Sequence, residues 1–249
     1  MHNDFTKCSG IDNNFKNRNE TIFAYGKFDK IVCVSNQAKD GFIKTIGYND
    51  KTLTIYNLLP IERIKALSQE PCNLEFNKFT VLSVGRLTRQ KGYERLISAV
   101  KSLAEEGYSL DLCLIGDGEE RDDLLKHIED EKISNVKLLG KKLNPYPYMK
   151  NADLYVCSSL YEGYNLTVAE ALILGTPVLS TDCTGPKEIL DNGKYGLVVD
   201  NSEFGLYNGI KKILDNREIL IKLKKRAEER KSFFNEEKII SEIEELFIK

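Results

Sequence analysis

Two carboxylates and a cluster of cations stand out. Glu162 and Glu170 bracket seven residues in YEGYNLTVAE (161–170), and Arg86, Arg89 and Lys91 lie within SVGRLTRQKGYERL (83–96). Ionised acids accept hydrogen bonds from hydroxyl groups, and cations beside a helix start attract anions. Between the two glutamates, Asn165 or Thr167 can cap a helix that runs to Leu174 and stops at Gly175-Thr176-Pro177. Backbone N–H groups of Tyr164, Asn165 and Leu166 would then face a ligand. Acceptors on either side of an anion-binding turn suit a molecule polyhydroxylated at both ends and phosphorylated in the middle, the shape of a nucleotide-sugar. The competing reading is a capping acid, an ordinary exposed helical acid and a solvated basic turn.

Other constellations offer less. LIGDGEER (114–121) has half of a dinucleotide fingerprint but lacks the third glycine, so it reads as a tight turn rather than an NAD site. No D-x-D is present to hold a metal-bound diphosphate. His127 has no cysteine or second histidine at ligand spacing and reads as a solvated side chain. KLKKR (222–226) reads as a solvated helix face.

The elements that would position these residues alternate in type. From Phe79 onward, FTVLSVG, LDLCLIG, VKLLG, DLYVCSS, PVLST and GLVVD are apolar runs without polar alternation, separated by amphipathic stretches. Strands covered on both faces and joined by helices make an α/β, doubly wound parallel sheet, Rossmann-like in form. Gly85 ends the first of these strands, and Glu162-Gly163 follows the fourth, so both motifs fall at the carboxyl edge, where open α/β sheets bind ligands. Before Phe79, FDKIVCVS and KTLTIYN read as two strands around a helix that ends at Gly47, too few for a domain. The division expected is 1–57 as a small incomplete α/β segment, 58–78 as linker, 79–232 as the main domain and 233–249 as a final helix. The stripe of Ile239, Ile240, Ile243, Leu246 and Phe247 on that helix needs a covering surface.

Bulk properties narrow the class. The chain has 249 residues, a formal charge of -2, 41% hydrophobic and 30% charged residues. That balance gives no reason to expect nucleic acid. No run approaches the roughly 18 apolar residues of a membrane span, and no secretory signal opens the chain. Cys33, Cys113 and Cys157 sit inside strand-like runs and no C-x-x-C occurs, so the six cysteines are expected to be reduced. A cytoplasmic protein, or one peripheral to the inner membrane face, is the expectation.

Taken together, SVGRLTRQKGYERLISA, LDLCLIGDGEER, NVKLLG, ADLYVCSSLYEGYNLTVAEALILGTPVLSTDCTGPKEIL and NGKYGLVVD resemble the carboxyl-terminal domain of a retaining glycosyltransferase of family 4, with the GT-B fold. The resemblance covers Val81 to Asp200, and G-R-x4-K-G combined with E-x7-E is its specific part. It implies that Arg86 and Lys91, beside Gly85, hold the diphosphate and that Glu162 contacts the donor sugar. Glu170 would accept from the ribose. Gly163 and the N–H groups of Tyr164, Asn165 and Leu166 would reach the sugar and distal phosphate, and Gly140, Lys141 and Lys142 the base. The donor would be a UDP- or GDP-linked sugar and the acceptor a glycan or lipid-linked glycan in surface polysaccharide assembly, with no metal or other cofactor required. MHNDF resembles the segment that carries a sugar-contacting histidine, which would be His2. By the same resemblance, residues 1–57 would be a remnant of the amino-terminal domain. The final helix would pack back toward it, and a partner chain or homodimer would cover the orphaned apolar surface. The alternatives are a truncated, non-catalytic nucleotide-sugar-binding module and, against E-x7-E, a sugar-nucleotide epimerase.

Overall fold

Residues 17–248 are described by the structure, a computed structural model; His2 lies outside them. The first elements form a small unit: helix α1 (Arg18–Gly26), strand β1 (Ile31–Cys33), helix α2 (Asn36–Thr45) and strand β2 (Thr52–Thr54), with β1 and β2 parallel. Tyr25, Ile31, Cys33, Ala38, Phe42 and Ile46 give it a core of its own. Weak periodicity hides α1 in the sequence; Asn17 starts it by accepting from the Glu20 N–H at 3.0 Å. Helix α3 (Ile61–Leu67) lies in the connector.

The main sheet has six parallel strands, β3 (Phe79–Val84), β4 (Leu110–Ile115), β5 (Val136–Leu138), β6 (Leu154–Cys157), β7 (Val178–Thr181) and β8 (Leu197–Val199). Their order is β5-β4-β3-β6-β7-β8. Helices α4 (Tyr93–Glu105), α5 (Arg121–Asp130), α6 (Tyr146–Asn151), α7 (Leu166–Ile173) and α8 (Thr184–Ile189) make the crossovers; α9 (Glu203–Asp215), α10 (Arg217–Arg230) and α11 (Glu236–Glu244) follow. Val81, Leu112 and Leu154 point into one apolar layer with α4 and α9, while their neighbours Leu82, Cys113 and Tyr155 point into the other with α7. Alternate residues face opposite sides of a strand, which explains why these strands are apolar throughout. The α/β doubly wound expectation therefore holds. Strand order reverses between β3 and β6, and there a crevice opens at the carboxyl ends.

Three local expectations change. The final helix stops at Glu244, short of 249, and buries none of its residues. Ile240 and Ile243 on it, and Phe247 beyond it, stay exposed. His127 is only half-solvated: Nε2 is enclosed without a partner among the described residues, because it lies one turn along α5 from buried Leu124. The 3-10 turn Arg89–Lys91 precedes α4, which begins at Tyr93 rather than near Lys91. Cys33, Cys72, Cys113, Cys157 and Cys183 are free thiols. No helix among the described residues is long and apolar enough to cross a membrane.

Candidate functional site

The loops after β3 and β6 are bound to each other across the crevice. Leu160 N–H donates to the Gln90 carbonyl at 2.7 Å, and Gln90 Nε2 donates to the Tyr161 carbonyl at 2.9 Å. Arg95, one turn into α4, donates from Nε to the Ser158 carbonyl at 3.0 Å and from Nη2 to the Ser159 carbonyl at 2.9 Å. Gly92, at φ 61, lets the two backbones meet, since a Cβ there would lie 2.6 Å from the Ser158 carbonyl oxygen.

This arrangement brings Lys91 onto Glu162. Lys91 Nζ lies 2.6 Å from Glu162 Oε1, with side-chain exposures of 20% and 8%. Ser159 Oγ donates to the same oxygen at 2.7 Å and Asn165 Nδ2 at 3.2 Å. The sequence placed these two residues on different parts of a ligand; folded, they are a buried, hydrogen-bonded ion pair. All three donors converge on Oε1, so Oε2 is the oxygen free to accept from a hydroxyl. Lys91 also borders Gly85, where an added Cβ would lie 3.6 Å from its Nζ.

Asn165 is the cap of α7, accepting from the Val168 N–H at 3.1 Å. Leu166 follows as the first helical residue with its side chain exposed. The Gly163 carbonyl is turned toward the small unit and accepts from Ser35 Oγ at 3.1 Å. The Tyr164 side chain packs against the Tyr56 ring at 6.2 Å between centroids. The Gly163 carbonyl and the Tyr164 ring are therefore both engaged by the small unit.

Glu170 lies further along α7 and accepts from Tyr146 Oη on α6 at 3.1 Å. Burial pushes its carboxyl up to about 7, a rise that the Tyr146 hydrogen bond partly offsets. An acid poised there gains when hydroxyl donors arrive to stabilise its ionised form.

A cleft of about 650 Å³ sits at the same sheet edge. Gly85 and Arg86 line it from the β3 loop, Gly116 to Gly118 from the β4 loop, and Lys141 and Lys142 from the segment after β5. Gly140, at φ 68, turns the chain into that segment. Three cations against one acid, Asp117, on a concave and mostly apolar wall suit an anionic ligand. Gly85 and Arg86, expected at the diphosphate, and Lys141 and Lys142, expected at the base, line this one cleft; the GDG turn, read from the sequence as a tight turn, is a further wall of it. Two glycines one residue apart after a buried strand were the available signal: a Cβ at Gly116 would lie 1.8 Å from the Gly85 carbonyl oxygen, and one at Gly118 2.4 Å from that of Leu87. Gly116→Ala must therefore push the β3 and β4 loops apart, and we expect a melting temperature lower by about 5 °C or more in a thermal unfolding scan. An unchanged melting temperature would mean that the loops are free to move. Tyr146 had no signal in the sequence at all.

Comparison with known proteins follows the same outline. The model of the family described as "Glycosyl transferases group 1" matches residues 68–230. An uncharacterized glycosyltransferase of Methanocaldococcus jannaschii is 38% identical over 181 residues, covering 68% of this chain and 45% of the relative. A Campylobacter jejuni enzyme, N-acetylgalactosamine-N,N'-diacetylbacillosaminyl-diphospho-undecaprenol 4-alpha-N-acetylgalactosaminyltransferase, is 30% identical over 219 residues, covering 86% of this chain and 59% of the enzyme. Among solved structures, a variant of S. aureus TarM in complex with fondaparinux, alpha-GlcNAc-glycerol and UDP superposes with a TM-score of 0.83 at 21% identity, over 100% of this chain and 50% of TarM. The chain thus spans about half the length of the relatives it matches.

Proposed function

Because this chain belongs to the group 1 glycosyl transferases, we propose that it supplies the donor side of a reaction that moves a glycosyl group from a nucleoside-diphosphate sugar to a glycan or lipid-linked acceptor, with retention at the anomeric carbon as in family 4. The observation that carries this reading is a cleft lined by Arg86 and by Lys141 and Lys142 from separate strand-end loops, at the same sheet edge as the Lys91–Glu162 pair that joins the loops after β3 and β6. UDP in the TarM complex supports a uridine-type donor, and the name of the Campylobacter enzyme supports a polyprenyl-diphosphate-linked glycan acceptor.

Each side chain then has a task. Arg86, exposed in the cleft, and Lys91, held beside Gly85, would meet the diphosphate and stabilise the charge that grows on it as the glycosidic bond breaks. Such fixed cations do the work a metal ion does elsewhere, so metal independence is part of the proposal. Glu162 Oε2 would accept from a sugar hydroxyl and Glu170 from the ribose. Lys141 and Lys142 border the end of the cleft assigned to the base.

Calorimetric titration with UDP, GDP and ADP tests the donor site. We expect one diphosphate to bind equally well with and without EDTA, and Arg86→Ala to weaken it by about ten- to a hundredfold, the worth of one hydrogen bond between charged groups. A folded chain that binds none of the three would sink the proposal. A transfer assay with a sugar-loaded donor then separates an enzyme from a module that only binds.

A further inference from the structure

Ser35 lies 128 positions before Gly163, yet its hydroxyl reaches that residue. As the cap of α2, its Oγ accepts from the Ala38 N–H at 3.0 Å; it also donates to the Gly163 carbonyl at 3.1 Å, and the residue is buried. A hydroxyl has one proton to give, and here it is committed to Gly163. The C=O and N–H of a trans peptide share a plane and point in opposite directions. Fixing the Gly163 oxygen on the small unit therefore aims the Tyr164 N–H away from that unit. Among the described residues no acceptor takes that N–H.

This peptide needs a hold, because glycine lets the peptide that follows it turn at little steric cost. Its face is covered by Gly185 on α8, where an added Cβ would lie 2.8 Å from both the Gly163 oxygen and the Tyr164 nitrogen. Its oxygen has Ser35 as the one donor among the described residues. Ser35 is held in turn by Glu188, also on α8. That carboxylate accepts from the first two N–H groups of α2, Asn36 at 2.8 Å and Gln37 at 3.0 Å, and from Tyr56 Oη at 2.8 Å. An acid is favoured at a helix start, where free N–H groups and the helix dipole meet it. One helix thus fixes both the loop and the hydroxyl that orients it.

We infer that Ser35 is a positioning residue of the donor site: through the 163–164 peptide it presents the Tyr164 N–H to the distal phosphate of a nucleoside diphosphate. The role rests on the donor reading above and extends it to a side chain of the small unit that itself touches no ligand.

The test is calorimetric titration of the whole chain, wild type and Ser35→Gly, with UDP and UMP, GDP and GMP, and ADP and AMP. Glycine is a tolerated cap, so this substitution removes the hydroxyl with little loss at the start of α2. We expect wild type to prefer the diphosphate of one base. Ser35→Gly should bind that diphosphate about tenfold more weakly, the worth of one hydrogen bond to a charged group, and the monophosphate unchanged. A general loosening of the small unit would instead weaken both together. A second measurement needs no change at Ser35. In wild type carrying nitrogen-15 tyrosine, the Tyr164 amide signal, assigned by Tyr164→Phe, should shift with the diphosphate and stay still with the monophosphate. Wild type that binds no nucleotide, or binds both forms equally, would sink the donor reading and the role of Ser35 with it. Where wild type prefers the diphosphate, an undiminished preference in Ser35→Gly or a Tyr164 amide silent to the diphosphate overturns the role of Ser35 alone.

Discussion

Lys91→Met is expected to lower unfolding stability by about 3 kcal/mol and UDP affinity by about a hundredfold. The reason is the burial of its partner. With side-chain exposures of 20% and 8%, the Lys91–Glu162 pair is shielded from the solvent screening that makes surface pairs weak. Removing the lysine leaves Glu162 with only Ser159 and Asn165 as donors to Oε1, and an uncompensated buried carboxylate is far less favourable than a buried pair. The double variant Lys91→Met/Glu162→Gln should regain most of the stability, because no lone charge remains, and none of the UDP affinity, because the ammonium is still missing. Urea unfolding and calorimetry on wild type, both single variants and the double variant separate the two effects. A single-variant loss below about 1 kcal/mol would mean that water screens the pair as it does on a surface.

Glu170 gives the largest pH effect. Its folded-state carboxyl titrates near 7 against an ordinary 4.5, so between those values the folded chain holds a proton that the unfolded chain has lost. Stability must then fall as pH rises from 4.5 to about 7 and level off above. Glu170→Gln abolishes that slope and should be more stable than wild type at pH 8 by about 2 kcal/mol. Nucleotide binding runs the other way. A ribose hydroxyl donates best to the ionised carboxylate, so wild-type affinity for UDP should rise as pH passes about 7. Glu170→Gln should bind more weakly and lack that rise, and comparing the two cancels the titration of the phosphates themselves. Tyr146→Phe removes a hydrogen bond to the ionised form and should move the midpoint upward. Parallel pH profiles for UDP binding in wild type and Glu170→Gln would place Glu170 outside the ribose site.

What the sequence revealed depended on distance along the chain. The strands from Phe79 onward were legible because each is a single apolar run closed by a glycine, a small residue or an acid. The cap of α7 was legible as Asn165 or Thr167, because capping is decided within three residues, and it is Asn165. The short helices α6 and α8 have six residues each, less than two turns, and leave no periodic trace. The chemistry of the site was hidden for another reason. Lys91 and Glu162 are 71 positions apart, and Tyr146 and Glu170 are 24 apart. Sequence named three of those four residues for their types, yet their pairing and their burial exist only in the fold.

The strand order also has a meaning in time. β3, made first, lies in the middle of the sheet, with β4 and β5 on one side and β6, β7 and β8 on the other. A ribosome releasing this chain finishes the half bearing Arg86, Lys91, Lys141 and Lys142 before either glutamate has been translated. The emerging half-domain has the cations of the rim without Glu162 or Glu170. The crevice comes into being only when β6 docks on β3 through Val81 with Leu154 and Leu82 with Tyr155. A ligand that needs both rims is thus a proofreader of synthesis, held by finished chains and ignored by interrupted ones.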